Sequence, residues 1–405
     1  MRVFADLHLH SKFSRATSPQ MEVVSLSLWG KKKGLNLLAT GDCTHPLYLK
    51  ELKQKLKEDG SGFFHIKDEK KNNSVKFILS GEISCIYKHH GKTRRQHHLV
   101  YFPNFASVDL FNKKLIDLKC NLRSDGRPSV GLTSKQLLEI VLSVHPQAML
   151  IPAHIWTPWF SLFGSKSGYD SIEECFEELS NEIFAVETGI STDPAMNWRL
   201  SQLDRITLIS NSDSHSLKNI GRNTNVFEFE KFEYSEVYNT LKNKDRKKFL
   251  YTIEFFPQEG RYYYDGHRDC RFSCSPTESK NKYQNICPVC KKLLTLGVAH
   301  RVDDLADRSV NYVPKNVIPY KNLVPLMEII SNVLRKGKQC KAVESVYEQM
   351  ISKYSELEIL IDLKLSELRK ITTENIAQAI LAVRQGRVEV VPGFDGEYGQ
   401  VKILL

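Results

Sequence analysis

Two pairs of residues carry the strongest chemical signal in the chain. His8 and His10 end the apolar run "RVFADLHLH", with Asp6 two positions earlier, and Asp213 stands two before His215 in "SNSDSH". Residues two apart on an extended chain face the same way, so each pair can chelate or bridge an ion through two side chains. Asp42 and His45 in "GDCTH", Glu82 in "SGE", His154 in "PAH" and Glu187 in "VETG" add donors of the same kinds. A mixed imidazole and carboxylate set suits zinc, manganese or iron, and this one is large enough for two or three ions. Paired divalent ions acidify a bound water and stabilise both oxygens of an in-line displacement at phosphorus. Arg199 and Arg222 flank the last motif, where either could neutralise a pentavalent phosphate. For each alone, surface ion pairing is the plainer reading.

Such donors must be brought to one place. Up to about residue 256, seven β-rich runs ("RVFADLHL", "LNLLATGD", "VKFILSGE", "HHLVYF", "AMLIPAH", "IFAVETG" and "ITLISNSD") alternate with amphipathic stretches such as "MEVVSLSLWGKKKG" and "SKQLLEIVLSVH". Alternation of this kind predicts a parallel α/β fold closed like a barrel, in which the carboxyl ends of the strands share the face where active sites are built. Nearly every run ends in one of the donors. The fourth is the exception, since His97 and His98 stand at its start, and only one of them can point inward. His97 is the choice, with His98 the alternative.

Residues 257–308 lose the periodicity and contain Cys270, Cys274, Cys287 and Cys290 as C-x3-C and C-x2-C pairs twelve residues apart. Two close pairs across a loop predict a structural zinc ribbon in which four thiolates close a tetrahedral site. The other cysteines (Cys43, Cys85, Cys120, Cys175 and Cys340) read as small core residues. From 309 to 405 the spacing is helical, and the chain closes in a predicted hairpin, "RVEVVPGFDGEYGQVKILL".

Length and composition narrow the class further. The 405 residues suit two or three domains, and no run of about 18 apolar residues or signal-peptide pattern occurs, so a soluble, cytoplasmic protein with no membrane contact is expected. An odd count of nine scattered cysteines argues for reduced thiols. The formal net charge of +10 is the balance of a protein that meets a polyanion. Lys92, Arg94 and Arg95 in "KHHGKTRRQHH", with Arg222, Arg268 and Arg271, are candidate phosphate contacts. Trp156 and Trp159, in the stretch after His154, could stack on an exposed base or wedge a duplex, or fold over a small core of their own. Tyr262, Tyr263 and Tyr264 offer either stacking faces or packing at a domain junction.

Taken in order, "ADLHLHSKFS", "GDCTH", "SGEIS", "HHLVYF", "PAHIW" and "SNSDSH" resemble the PHP (polymerase and histidinol phosphatase) superfamily of metal-dependent phosphoesterases. "PAHIWTPWFSLFGSKSGYDSIEEC", "PAMNWRLSQLD", the cysteine segment and the terminal "VPGFDGEYG" resemble, more narrowly, the endonuclease Q family. The likeness implies a distorted seven-stranded β/α barrel over 1–256, a zinc-ribbon domain over 257–308 and a mostly helical region over 309–405. It implies His8, His10, Asp42 or His45, Glu82, His97, His154, Asp213 and His215 as ligands, with Glu82, Asp213, His215 and Arg199 at the catalytic centre. Two or more divalent ions (Mg, Mn or Zn) and one structural Zn are the expected cofactors. The implied activity is incision of DNA on the 5′ side of a deaminated base (hypoxanthine, uracil or xanthine) or an abasic site, with replication or repair proteins as further partners. Arg15 stands where many PHP proteins have another ligand, so the number of metals is an open point. A phosphatase acting on small monoesters and a non-catalytic DNA-binding scaffold are the alternatives.

Overall fold

The computed structural model describes residues 1–69 and 74–405. Each of the seven runs contains a strand: β1 (Arg2–Asp6), β2 (Leu37–Ala39), β3 (Lys76–His89), β4 (Lys92–Phe102), β5 (Met149–Pro152), β6 (Ala185–Glu187) and β7 (Thr207–Ile209). β1 pairs parallel with β2, and β2 with β3, but β4 runs antiparallel to both β3 and β5. This corrects the all-parallel expectation, and the cause is local. His90 and Gly91 both take positive φ (49° and 74°), the two-residue turn that makes a tight hairpin, so β4 folds straight back on β3 without a helical crossover. Reversal also accounts for the exception in the sequence: the start of an antiparallel strand lies at the end where its parallel neighbours finish.

β6 and β7 form their own parallel pair. Between β5 and β6, the Ile155 N–H donates to the Glu187 carbonyl at 3.0 Å; between β7 and β1, an isolated bridge joins Leu9 and Ser214. Beyond β1 the sheet continues antiparallel through β8 (Thr224–Glu228) and β9 (Phe249–Glu254). The hairpin β10 (Asp265–His267) and β11 (Phe272–Cys274) opens the cysteine segment, and β12 (Tyr320–Asn322) adds parallel to β9. β13 (Val388–Val391) and β14 (Gln400–Ile403) form the terminal hairpin.

Helices cover the sheet. The helix Val23–Lys33 ends at Gly34, which takes φ 84° and lets its N–H cap the last turn. The helix Ser134–Val144 starts in a capping box made by Thr133 and Gln136. The helices Leu326–Leu334, Lys341–Ile351, Glu356–Ile361 and Glu374–Arg384 build most of the C-terminal region. Their buried faces join the core of the strand-rich half as one continuous apolar body, while the cysteine segment keeps a small separate cluster around Cys274, Cys287 and Leu294. Among the described residues no helix is long and apolar enough to cross a membrane.

Two buried polar contacts shape this packing. Lys33 pairs with Glu356 at 2.7 Å, both nearly inaccessible, and the Glu356 carboxylate also accepts from Tyr347 Oη (2.6 Å) and the Leu326 N–H (3.2 Å). Glu254, at the end of β9, is wholly buried, and burial pushes its carboxyl up to about 8 despite hydrogen bonds from Ser210 and Thr252.

Substituting Glu356→Ala strands a buried ammonium and should lower unfolding free energy by about 3–5 kcal/mol, read by urea denaturation; a Lys33→Met/Glu356→Leu pair should recover much of the loss. For Glu254, the folded carboxyl keeps its proton up to about 8, whereas the unfolded one ionises near its ordinary 4.5. Stability therefore falls as pH rises through that window. Glu254→Gln should flatten the decline, so that the variant gains on the native protein at pH above 8; parallel denaturation curves at both ends of the window check this.

Candidate metal centre

Period-two geometry brings the first donors together. His8 and His10 follow β1 on one face, and the register of the β3–β4 hairpin (Ser84 opposite His97, Glu82 opposite Leu99) puts Glu82 and His97 on one face of the sheet. His98 faces the other way and meets Ser134 Oγ at 2.8 Å. His154 and Asp213 lie beyond the ends of β5 and β7 and take φ of 28° and 47°; Asp42, beyond β2, takes 44°. Positive φ in a non-glycine residue costs about 1–3 kcal/mol and persists only where surrounding structure enforces it. Here it turns side chains off the strand ends toward the shared face.

Three groups of donors result, each with ligand atoms within 4.8 Å of one another: His8, His10 and Glu82; Glu82, His97 and His154; and His10, Asp213 and His215. Glu82 divides its oxygens between the first two. Its Oε2 lies 3.3 Å from His10 Nε2 and 3.7 Å from His8 Nε2, and its Oε1 lies 2.9 Å from His97 Nδ1 and 3.2 Å from His154 Nε2. Asp213 Oδ1 is 3.2 Å from His10 Nε2 and 3.5 Å from His8 Nε2.

Outer groups aim the rings. Glu187 takes His8 Nδ1 (3.0 Å) and accepts from Asn211 Nδ2 and the His154 N–H, both at 2.8 Å. Thr157 Oγ1 lies 3.2 Å from His154 Nδ1. Asp6 accepts from the Ser212 and Gly221 N–H groups (3.0 and 2.8 Å), pinning the loop that carries Asp213 and His215. With their Nδ1 atoms engaged, His8, His10 and His154 turn Nε2 inward, as ligating histidines do. His8 Nε2, His10 Nε2 and Asp213 Oδ1 are buried without a hydrogen bond, and orphaned atoms converging on one point fit bound cations.

The electrostatics agree. Burial opposes protonation of His8 and His10, but Glu187 and Asp213 around the first, and Asp213, Asp42 and Glu82 around the second, hold both imidazoles well above their ordinary value. Burial likewise raises Glu82 and Asp213, yet His97 and Arg127 for one and His8 and His10 for the other outweigh it and keep both carboxyls well below the usual range. Burial drives His97 down to about 4. The centre is a cluster of buried carboxylates interleaved with imidazoles.

Several expected residues fall elsewhere. Asp42 is not in the donor groups: its Oδ2 accepts from the Ser11 N–H (2.7 Å), Ser11 Oγ (2.6 Å) and Ser14 Oγ (2.8 Å), while Oδ1 faces His10 Nδ1 at 3.3 Å and orients that ring. His45 stands just before the helix Pro46–Lys55 and stacks on Phe13, with ring centroids 4.4 Å apart. Arg15 points to solvent beside Asp125. Arg199 is committed to Asp303 on the helix Val298–Leu305, a contact between the strand-rich half and the cysteine segment, and is not beside Asp213. Arg222 donates through Nε and Nη2 to the Ser212 carbonyl (3.0 and 2.8 Å). Trp156 is buried, donates to Asn197 Oδ1 at 2.8 Å and packs on Phe163, which removes it from stacking on a substrate. Trp159 is partly exposed and meets Tyr262 edge to face. Arg94 is held by the Gly168 carbonyl and the Tyr169 ring, and Arg95 lies over Phe160, while Lys92, Arg268 and Arg271 are exposed.

The cysteine segment draws its four cysteines into one small cluster, with Cys274 and Cys287 buried in it and Cys270 and Cys290 packed against them. Ligand atoms of Cys270, Cys287 and Cys290 also gather with His267. Register places these residues: His267 pairs with Phe272 at the tip of the β10–β11 hairpin, next to Cys270, and Cys274 lies at its far end opposite Asp265.

Sequence reading missed the residues that act on donors rather than as donors. Asp6 and Glu187 were visible at strand ends, but Thr157, Asn211 and Arg127 carry no spacing signal. Arg127 Nη1 donates to Glu82 Oε2 at 3.1 Å.

Residues 325–387 match the model of the MJ0043 C-terminal domain. The uncharacterized protein MJ0043 of Methanocaldococcus jannaschii is 33% identical over 61% of the chain, a stretch that spans only 31% of that longer protein. The uncharacterized protein YqxK of Bacillus subtilis is 27% identical over 99% of both chains. The crystal structure of the lesion-specific endonuclease PfuEndoQ from Pyrococcus furiosus superposes with a TM-score of 0.87 and 32% identity, covering 100% of this chain and 96% of that one. A structure of endonuclease Q in complex with a 27-mer duplex bearing an abasic lesion at its active site gives the same score and identity, covering 100% and 97%. At that identity, over almost the whole of both chains, the protein belongs to the endonuclease Q family.

Proposed function

We propose that the chain is a metal-dependent DNA repair endonuclease that hydrolyses the phosphodiester on the 5′ side of a deaminated base or an abasic site. The observation that carries this reading is the division of Glu82 between two imidazole groups, with Nε2 of His8 and His10 and Oδ1 of Asp213 left unbonded around it. Likeness over the full chain to an endonuclease bound to lesion-bearing DNA supports the substrate class.

His8, His10, Glu82, His97, His154, Asp213 and His215 would hold the divalent ions. When bound, such ions acidify a water and stabilise charge on the attacking and leaving oxygens of an in-line displacement. The chain's own residues prepare the place. Glu187 and Thr157 hold the imidazoles of His8 and His154 in one orientation, and Asp6 holds the loop of Asp213 against β1. Exposed Lys92, Arg268 and Arg271 can meet backbone phosphates and fix register without reading sequence. Deaminated bases pair poorly, so their extrusion is the least costly route to a buried centre, and the partly exposed Trp159 is a candidate stacking surface for such a base. Cys270, Cys287 and Cys290, with Cys274 or His267 as the fourth donor, would hold the structural zinc, closing a tetrahedral site that does no chemistry.

Incubating the protein and Mg or Mn with labelled duplexes containing inosine, uracil or an abasic analogue should give a nick 5′ of the lesion and none in an undamaged control. Release of phosphate from small monoesters without nicking would favour the phosphatase, and duplex binding without either would favour the scaffold. Asp213→Ala should abolish cutting while leaving duplex binding intact in a gel-shift assay. Treatment with a chelator should stop cutting reversibly when the barrel ions are removed, with activity returning on re-addition of the metal.

A further inference from the structure

The segment 121–128, "NLRSDGRP", lies over the metal centre and is built to hold one side chain still. The Gly126 N–H donates to the Phe13 carbonyl at 2.9 Å, and a Cβ at Gly126 would sit 2.3 Å from Asp42 Oδ2, so the backbone is pressed directly onto the carboxylate that orients His10. Asp125 Oδ1 accepts the Arg127 N–H at 3.0 Å. The Pro128 carbonyl accepts from the Ser84 N–H at 3.0 Å, and Ser129–Val130 then pairs with β3 beside Glu82.

Arg127 projects from this clamp with Nη1 3.1 Å from Glu82 Oε2. Among the described residues it is the one Lys or Arg within ion-pair distance of the seven donors. Its side chain keeps 29% of its surface exposed, against 1% for Glu82, so it links the buried carboxylate to the solvent-accessible surface. A fixed cation beside a hollow that takes divalent cations repels them, and it weakens Glu82 as a donor. That arrangement is favourable only when an anion joins them, and a planar guanidinium matches the oxygens of a phosphate.

We infer that Arg127 binds a non-bridging oxygen of the scissile phosphodiester and neutralises the charge that grows there during hydrolysis. In that step a water oxygen bonds to phosphorus, one P–O bond to a sugar breaks, the leaving oxygen gains a proton and the water loses one. Arg127 moves no proton; its contribution is electrostatic and greatest at the crowded phosphorus. The inference rests on the nuclease reading above.

Single-turnover cleavage of a duplex with an abasic analogue, at saturating protein and metal, tests it. Arg127→Ala should slow cleavage about 100- to 1000-fold, the loss typical of removing one preorganised charge partner, with bound metal (by elemental analysis) and duplex affinity close to those of the native protein. Free guanidinium should restore part of the rate. Arg127→Lys keeps the charge but not the fork and should stay slow; it is read alone if the alanine variant does not fold. Loss of metal along with rate would make Arg127 a clamp on Glu82 and overturn the inference, as would an unchanged rate in either variant. A native protein that nicks no duplex overturns the nuclease reading itself, and this inference with it.

Discussion

The shared carboxylate of Glu82 is the interaction on which the rest of the arrangement depends. It is buried, stays ionised, and faces four imidazoles and one guanidinium. An isolated carboxylate in such a place would be prohibitively unfavourable, so the fold has to deliver its partners with sub-ångström discipline. Strands supply that discipline better than loops. Glu82 and His97 come from one hairpin, His8 and His10 from one strand extension, and Asp213 and His215 from a loop tied to β1 through Asp6.

Around this centre, polar support runs deep into the protein. His8 leads through Glu187 to Asn211, then to Asn225 and Ser210, and so to Glu254 on β9. Chains of this kind rigidify a site because each member has its partners satisfied by the next. The C-terminal helices contribute at longer range. They share the apolar core of the strand-rich half, match a separately recognised domain, and are tied by Lys33 and Glu356 to the helix that follows β1.

Much of the centre could be read from residue order because period-two pairs at strand ends have only one geometry. Asp42 and Asp213 look alike in sequence, each after an apolar run with a histidine close behind. What separates them is whether nearby N–H and O–H groups consume the carboxylate's lone pairs, and Ser11 and Ser14 do this for Asp42 alone. A C-x3-C spacing brings out the cysteines but says nothing of hairpin register, which sets His267 beside Cys270, Cys287 and Cys290. The direction of β4 hinges on the two residues His90 and Gly91, whose tight turn folds it straight back on β3. Arg127 lies 45 positions from Glu82, and only the tertiary fold brings them into contact. Trp156 shows the limit for aromatic residues, since burial and exposure give the same letters.

The left-handed backbone at Asp42, His154 and Asp213 sets strain against side-chain contacts. Glycine would adopt those conformations without strain, so exchanging any of the three for glycine relieves local energy while erasing a donor or its orienter. Backbone strain at these positions therefore pulls one way while the buried partners of each side chain, Glu82 for His154 and the Ser11 and Ser14 hydroxyls for Asp42, pull the other, so the same contacts that aim the side chains also hold the strained backbone in place.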